Sequence, residues 1–184
     1  MNYKRLIYIE EMAKQLLNDC GCDELPVKLE KIVDYKKIKL VEHEFGEDVY
    51  GVLIMKDGKY TIGYEKNNSP VRQRFTIAHE LGHFVLGHNK DGVNIDTITK
   101  NYQSLPTVLF RNNDSSTGEF IQEREANAFA AALLMPQDLL IEKFESRRFS
   151  RDFSMEGFAK EFNVSTQAMA YRLDKLGLLD KMPL

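Results

Sequence analysis

SPVRQRFTIAHELGHFVLG, residues 69–87, reads as one helix with its own punctuation. Ser69 offers a capping hydroxyl, and Pro70 suits the first helical position because its missing N–H is not needed there. Gly87 marks the end. At about 100° per residue, Val71, Phe75, Ala78, Gly82 and Val85 form a core-facing stripe. His79 and His83 fall beside that stripe, at the border of core and cleft. Gly82 lets another element approach closely.

His79 and His83 are four residues apart, so both rings project from one helix face, one turn from each other. Two imidazoles so placed can occupy adjacent corners of a tetrahedral zinc. Glu80 lies between them in sequence, beyond the inner shell but within reach of a metal-bound water. The ion lowers the pKa of that water and polarises a carbonyl, and Glu80 is positioned to take the proton. Two histidines and a glutamate also meet by accident on amphipathic helices, so the pattern needs support from elsewhere. A purely structural site, however, has no use for a carboxylate beside an open coordination position.

A third protein ligand is required, leaving the fourth position for water. His88 is nearest in sequence. One long zinc motif would place Gly three and His six residues after His83, but Gly87 and His88 come at four and five. His88 is read as a polar helix end. FIQEREANAFAAALLMP, residues 120–136, is the better source. Ala126, Phe129, Ala130, Leu133 and Leu134 define its buried face, and Glu123 lies about 50° from the centre of that face, Glu125 more than about 100° away. Glu123 is therefore the expected ligand, pointing to the core edge. Glu125 is expected to face water and stands as the alternative ligand. Asn127, one turn beyond Glu123, could hydrogen-bond a ligand histidine from outside the inner shell.

Upstream, Leu6, Ile9, Ala13, Leu16 and Leu17 recur at helical spacing over residues 3–18, and Leu29, Ile32 and Val33 predict a short second helix. Residues 38–41 read as a strand. Residues 50–55 and 59–64 flank Lys56-Asp57-Gly58, a strong hairpin signal. Residues 89–119 are polar and loop-like, long for a connection in a compact domain. Helices are expected again at 120–134, at 137–146, and at 154–161 and 165–176 in helix–turn–helix spacing. The class is α+β: an N-terminal helix, a small antiparallel sheet packed on the histidine helix and the glutamate helix, and a C-terminal helical subdomain.

With 43% hydrophobic and 29% charged residues among 184, the chain has ordinary globular composition. A net charge of −3 supplies no basic field for nucleic acid or anionic lipid. In the tail, Lys160, Arg172, Lys175 and Lys181 are balanced by four acidic residues from 154 to 184, and the second helix offers Ser-Thr-Gln-Ala-Met-Ala-Tyr to a DNA groove. Phosphate contacts need more cations than that, so the tail is read as a structural or protein-docking unit. No secretory or membrane-spanning run is present, and Cys20 and Cys22 are read as reduced thiols; a cytoplasmic location is expected. Arg72 and Thr76 share the stripe of the two histidines and could touch substrate, although a solvated arginine is the commoner outcome. No oxyanion donor can be named.

The stretch RQRFTIAHELGH (72–83), followed by EREANAFAAALLMP (123–136), resembles the ImmA/IrrE family of metallo-endopeptidases. The preceding hairpin and the tail FAKEFNVSTQAMAYRL (158–173) are similar to the same family. The resemblance implies a minimal gluzincin-like domain over residues 1–136 with a helical subdomain, 137–184, packed on it. It also implies zinc as cofactor and cleavage of a transcriptional repressor or similar regulatory protein. The chain departs from the family in its polar insertion at 89–119, for which a lid, a specificity loop and disorder all stay open. The resulting expectation is a narrow-specificity endopeptidase with His79, His83 and Glu123 on zinc and Glu80 as general base. Its rival is a regulatory or DNA-associated binding protein with a structural or vestigial zinc site. Oligomeric state has no sequence signal.

Overall fold

Hydrophobic periodicity sets the order of elements in the computed structural model, which describes residues 1–46, 49–88, 93–94, 118–150 and 153–181. Helix α1 (Tyr3–Asp19) is capped by Asn2, whose side chain accepts from the Arg5 N–H, and it buries Ile9, Ala13, Leu16 and Leu17. The short α2 (Leu29–Tyr35) buries Leu29, Ile32 and Val33. Between them Cys20 and Cys22 are free and buried, with sulfurs 3.0 Å apart. Burial first, and then the hydrogen bond with Cys22, push the Cys20 thiol up to about 12.

Three strands follow: β1 (Ile38–His43), β2 (Gly51–Lys56) and β3 (Lys59–Glu65). Asp57 and Gly58 both have positive φ, 51° and 71°, and Lys56 pairs with Lys59. That is the two-residue mirror-image turn an Asp-Gly pair favours, because it matches the strand twist. The β2–β3 hairpin is antiparallel as expected. The sheet as a whole is mixed, since β1 lies on the far side of β3 and pairs with it in parallel. In this order β3 lies between β1 and β2, so the strand that follows β1 in sequence is not its neighbour in the sheet. A two-residue β4 (Val93–Asn94) adds to β2 opposite Ile54 and Leu53. Leu40, Ile62 and Leu53 share one rung across the three strands. Leu53 and Ile62 are fully buried, and each such side chain contributes about 1.5–3 kcal/mol by leaving water.

Helix α3 (Pro70–Leu86) packs on β2 and β3. Ser69 is its N-cap and Pro70 its first residue, but the serine hydroxyl makes no capping hydrogen bond. Its start is held instead by Gln73, which donates to the Glu65 and Lys66 carbonyls, and by Arg74, which donates to the Val27 carbonyl. Helix α4 (Gly118–Leu134) buries the expected face, with Ala126, Phe129, Ala130 and Leu133 at 0% exposure. It is covered by α3 on one side and α1 on another.

Pro136 ends that run because it has no N–H to donate and its ring clashes with the preceding turn. Helix α5 (Gln137–Arg147) follows, then α6 (Met155–Phe162) and α7 (Thr166–Lys175). Ser154 and Ser165 cap α6 and α7, accepting from the N–H groups of Gly157 and Ala168. Asn163 turns the chain between them in the left-handed region, φ 52°. Phe158 and Phe162 of α6 join Leu133 and Leu134 of α4 in one hydrophobic cluster. Arg172 of α7 is buried, donating to the Met135 carbonyl and pairing with both oxygens of Glu10 on α1. Among the described residues no helix is long and apolar enough to cross a membrane. Apart from β4 and the first two residues of α4, 118 and 119, the polar insertion lies outside the described residues.

Candidate metal centre

The middle of α3 is buried all round, Thr76 to His83 without a break, because the sheet covers one side and α4 the other. Gly82 makes the second contact close. A Cβ there would sit 3.0 Å from both the Cα and the carbonyl oxygen of Ala126. The helices run in opposite directions: His79 meets Asn127, whereas His83, one turn further on α3, meets Glu123, one turn back on α4.

Three side chains converge in this contact. His79 and His83 are 1% and 3% exposed, and their Nε2 atoms lie 3.0 Å apart. Glu123 places one oxygen 3.3 Å from His79 Nε2 and the other 3.2 Å from His83 Nε2. One ligand atom from each of the three lies within 4.8 Å of the others. Burial alone would raise the Glu123 carboxyl, but hydrogen bonding and charge from both histidines outweigh it and hold the group well below the usual carboxylate range.

The donor set fits a zinc ion. Asn127 Oδ1 lies 2.9 Å from His79 Nδ1. A carbonyl oxygen only accepts, so Nδ1 carries the proton and Nε2 turns its lone pair toward the other donors. Lone pairs from two such rings repel unless a cation or a proton lies between them. Ligands at two corners of a tetrahedron about a zinc are separated by about 3.3 Å, given zinc–ligand distances of about 2.0–2.1 Å. The two Nε2 atoms, 3.0 Å apart, are near that spacing, and each faces a different oxygen of Glu123, at 3.3 and 3.2 Å.

Glu80 is fully buried. Its side chain lies against the first residue of β2: a Cβ on Gly51 would come within 2.7 Å of Glu80 Oε1 and 2.4 Å of Thr76 Cγ2. Glycine at 51 is thus what lets the strand pass the carboxylate. Thr76 is buried in the same contact. Arg72 is not simply solvated, since its guanidinium stacks 4.2 Å from the ring centre of Tyr50.

Two expectations change. Glu125 does not face water; it is 7% exposed. A helical wheel ranks residues against a single covered face, whereas α4 is covered by both α3 and α1. Glu125 points to α1 and is bound by Arg5, with Nε 2.8 Å from Oε1 and Nη2 2.5 Å from Oε2. It is absent from the converging set. His88 is not only a polar helix end: it is buried, with Nδ1 3.1 Å from His83 Nδ1 and Nε2 3.1 Å from Glu125 Oε2. Burial, followed by the neighbouring His83, lowers the His88 pKa from its ordinary value and favours a neutral ring. Gly51, Arg5 and the role of Glu125 carry no local sequence signal, because each depends on an element distant in the chain.

Beside the centre lies a cavity of about 260 Å³, walled by α3, α4 and α7. Phe75 and Val71 continue the His79 stripe of α3 into it, and Asn127 and Ala131 continue the Glu123 stripe of α4. Ala168 and Tyr171 close it from α7.

Residues 33–174 match the family model described as the IrrE N-terminal-like domain, peptidase M78. The chain is 28% identical over 149 residues to the metallopeptidase ImmA of Bacillus subtilis, an alignment spanning 80% of this chain and 75% of that protein. It is 32% identical over 108 residues to the radiation response metalloprotease IrrE of Deinococcus radiodurans, spanning 56% of this chain and 27% of that protein. A solved Mycobacterium tuberculosis transcriptional regulator superposes with a TM-score of 0.62 at 19% identity, covering 94% of this chain and 48% of that one. At that identity the likeness is one of fold.

Proposed function

Because this chain belongs to the family of IrrE N-terminal-like peptidases, we propose that it is a zinc-dependent endopeptidase of narrow specificity acting on a regulatory protein in the cytoplasm. The observation that carries the reading is the convergence of His79, His83 and Glu123, with one ligand atom from each within 4.8 Å of the others. These three residues hold the metal, which when bound supplies Lewis acidity to the scissile carbonyl and to the attacking water. Glu80 is the general base: it takes a proton from that water and returns it to the leaving amine. Asn127 fixes the tautomer and orientation of His79. His79, His83 and Glu80 are buried and Glu123 is partly so, which limits competition from bulk water for these groups.

The apolar cavity beginning one turn from the ligands is suited to a substrate side chain, which supports a sequence-selective cleft. Its third wall comes from α7, the helix that a DNA-binding helix–turn–helix would place in a groove. Ser165, Gln167 and Tyr171 line the cavity, which supports protein recognition over DNA binding for this subdomain, taken as residues 137–184 on a peptidase domain of 1–136. A transcriptional repressor is the proposed substrate class. Glu80→Gln keeps all metal ligands and removes the base. Expressed in its host, this variant should retain zinc, retain its substrate uncut, and let mass spectrometry identify a protein that wild type clips. Full biological function in Glu80→Gln would defeat the peptidase reading.

A further inference from the structure

His88, Glu125 and Arg5 take no part in the chemistry above, yet they form one connected line ending on a proposed metal ligand. We propose that these three residues are a positioning relay that fixes the His83 ring from behind and strengthens zinc binding. The proposal rests on the reading of His83 as a ligand.

After α3, Gly87 adopts φ 69°, and the N–H groups of Gly87 and His88 donate back to the Phe84 and His83 carbonyls. This left-handed turn folds the chain over the helix end. It brings the His88 ring beside the His83 ring, with centres 5.1 Å apart. His83 Nε2 faces Glu123 and His79, so only Nδ1 remains to be anchored, and His88 Nδ1 is 3.1 Å from it.

Proton placement then has one consistent solution. To present a lone pair at Nε2, His83 must carry its proton on Nδ1 and donate it to His88 Nδ1. A neutral His88 that accepts at Nδ1 carries its own proton on Nε2, 3.1 Å from Glu125 Oε2. Glu125 accepts there and accepts twice more from Arg5. The other tautomer of His88 would set N–H against N–H at His83 and a lone pair against the carboxylate, two repulsive contacts at 3.1 Å. The carboxylate therefore selects the tautomer of His88, and His88 selects that of His83. Hydrogen bonds of this kind fix ring orientation and raise the basicity of a ligand. Arg5 comes from α1, 120 positions earlier in the chain than Glu125. The docking of the N-terminal helix is thereby coupled to the metal site.

The test uses the full chain and zinc alone. Zinc dissociation constants are measured by competition with a chromogenic chelator for wild type, His88→Ala, Glu125→Ala, the double variant, Glu125→Gln and Arg5→Ala. Melting of the zinc-free proteins is followed in parallel. His88→Ala and Glu125→Ala should each weaken zinc binding about 10- to 100-fold, and the double variant should be no weaker than His88→Ala, because Glu125 acts through His88. Glu125→Gln, which keeps an acceptor for His88 Nε2–H and is the mildest change to packing, should lose less than Glu125→Ala. Arg5→Ala should fall between wild type and Glu125→Ala. Cobalt-loaded His88→Ala should show an altered visible spectrum, a change that loss of packing elsewhere would not produce. Wild-type affinity in both His88→Ala and Glu125→Ala, or losses that multiply in the double variant, would overturn the relay while leaving the metal site standing. Wild type that binds no zinc would overturn both.

Discussion

Gly82→Ala tests whether the close approach of α3 and α4 builds the metal centre. On an exposed helix the change would add up to about 1 kcal/mol, because alanine is the better helix former. Here the new methyl would lie 3.0 Å from Ala126 Cα, 3.0 Å from the Ala126 carbonyl oxygen and 3.3 Å from Phe129 Cβ. Ordinary van der Waals contact begins at 3.4 Å. The two shortest contacts are to backbone, so no rotamer can relieve them and the helices must separate by a few tenths of an ångström. Overpacking of this kind costs about 1–3 kcal/mol, which after the propensity gain leaves a net destabilisation of up to about 2 kcal/mol. For a chain of this size that is a fall in melting temperature of up to about 8 °C. The same displacement carries Glu123, less than one turn from Ala126, away from His79 and His83, so zinc affinity should fall too. Thermal melts with and without zinc, together with the chelator competition, measure both effects. A variant that melts at or above wild type and binds zinc equally well would refute the claim that this contact sets the site.

Gly51→Ala should leave zinc binding near wild type and impair cleavage of the trapped substrate, because its methyl would strike Glu80, the proposed base, and Thr76 and not the proposed metal ligands; displacing a catalytic group by about 1 Å can cost about 100-fold in rate. Zinc loss equal to the activity loss would contradict that separation. Glu65 accepts from the N–H groups of Asn67, Phe45 and Gly46 at 2.9, 2.6 and 3.0 Å. The Asn67 hydrogen bond first, opposed by burial and aided by the other two, lowers its pKa from the ordinary 4.5. A depressed carboxylate contributes stability that is present above 4.5 and is lost as pH falls through the folded value. Glu65→Gln should therefore be less stable than wild type near neutral pH, with the gap narrowing in acid; urea melts across that range that stay parallel would count against it.

Residues 69–87 alone carried the histidine pair, the glutamate between them and the helix that presents them, since all depend on spacing within one element. The buried face of α4, the Asp-Gly hairpin and the two serine-capped tail helices were legible for the same reason: each is a local periodicity or a local turn. The parallel partner of β1 was not, because pairing across a sheet has no signature within the strand. Nor were the burial of Glu125 and His88 or the glycine beside Glu80. A helical wheel ranks residues against one covered face, and α4 has two, the second supplied by α1 from the far end of the chain. Spacing within single elements was enough to name the candidate groups. Which of them meet, and which residues stand behind them, depended on packing, because those contacts join positions separated by up to 120 residues.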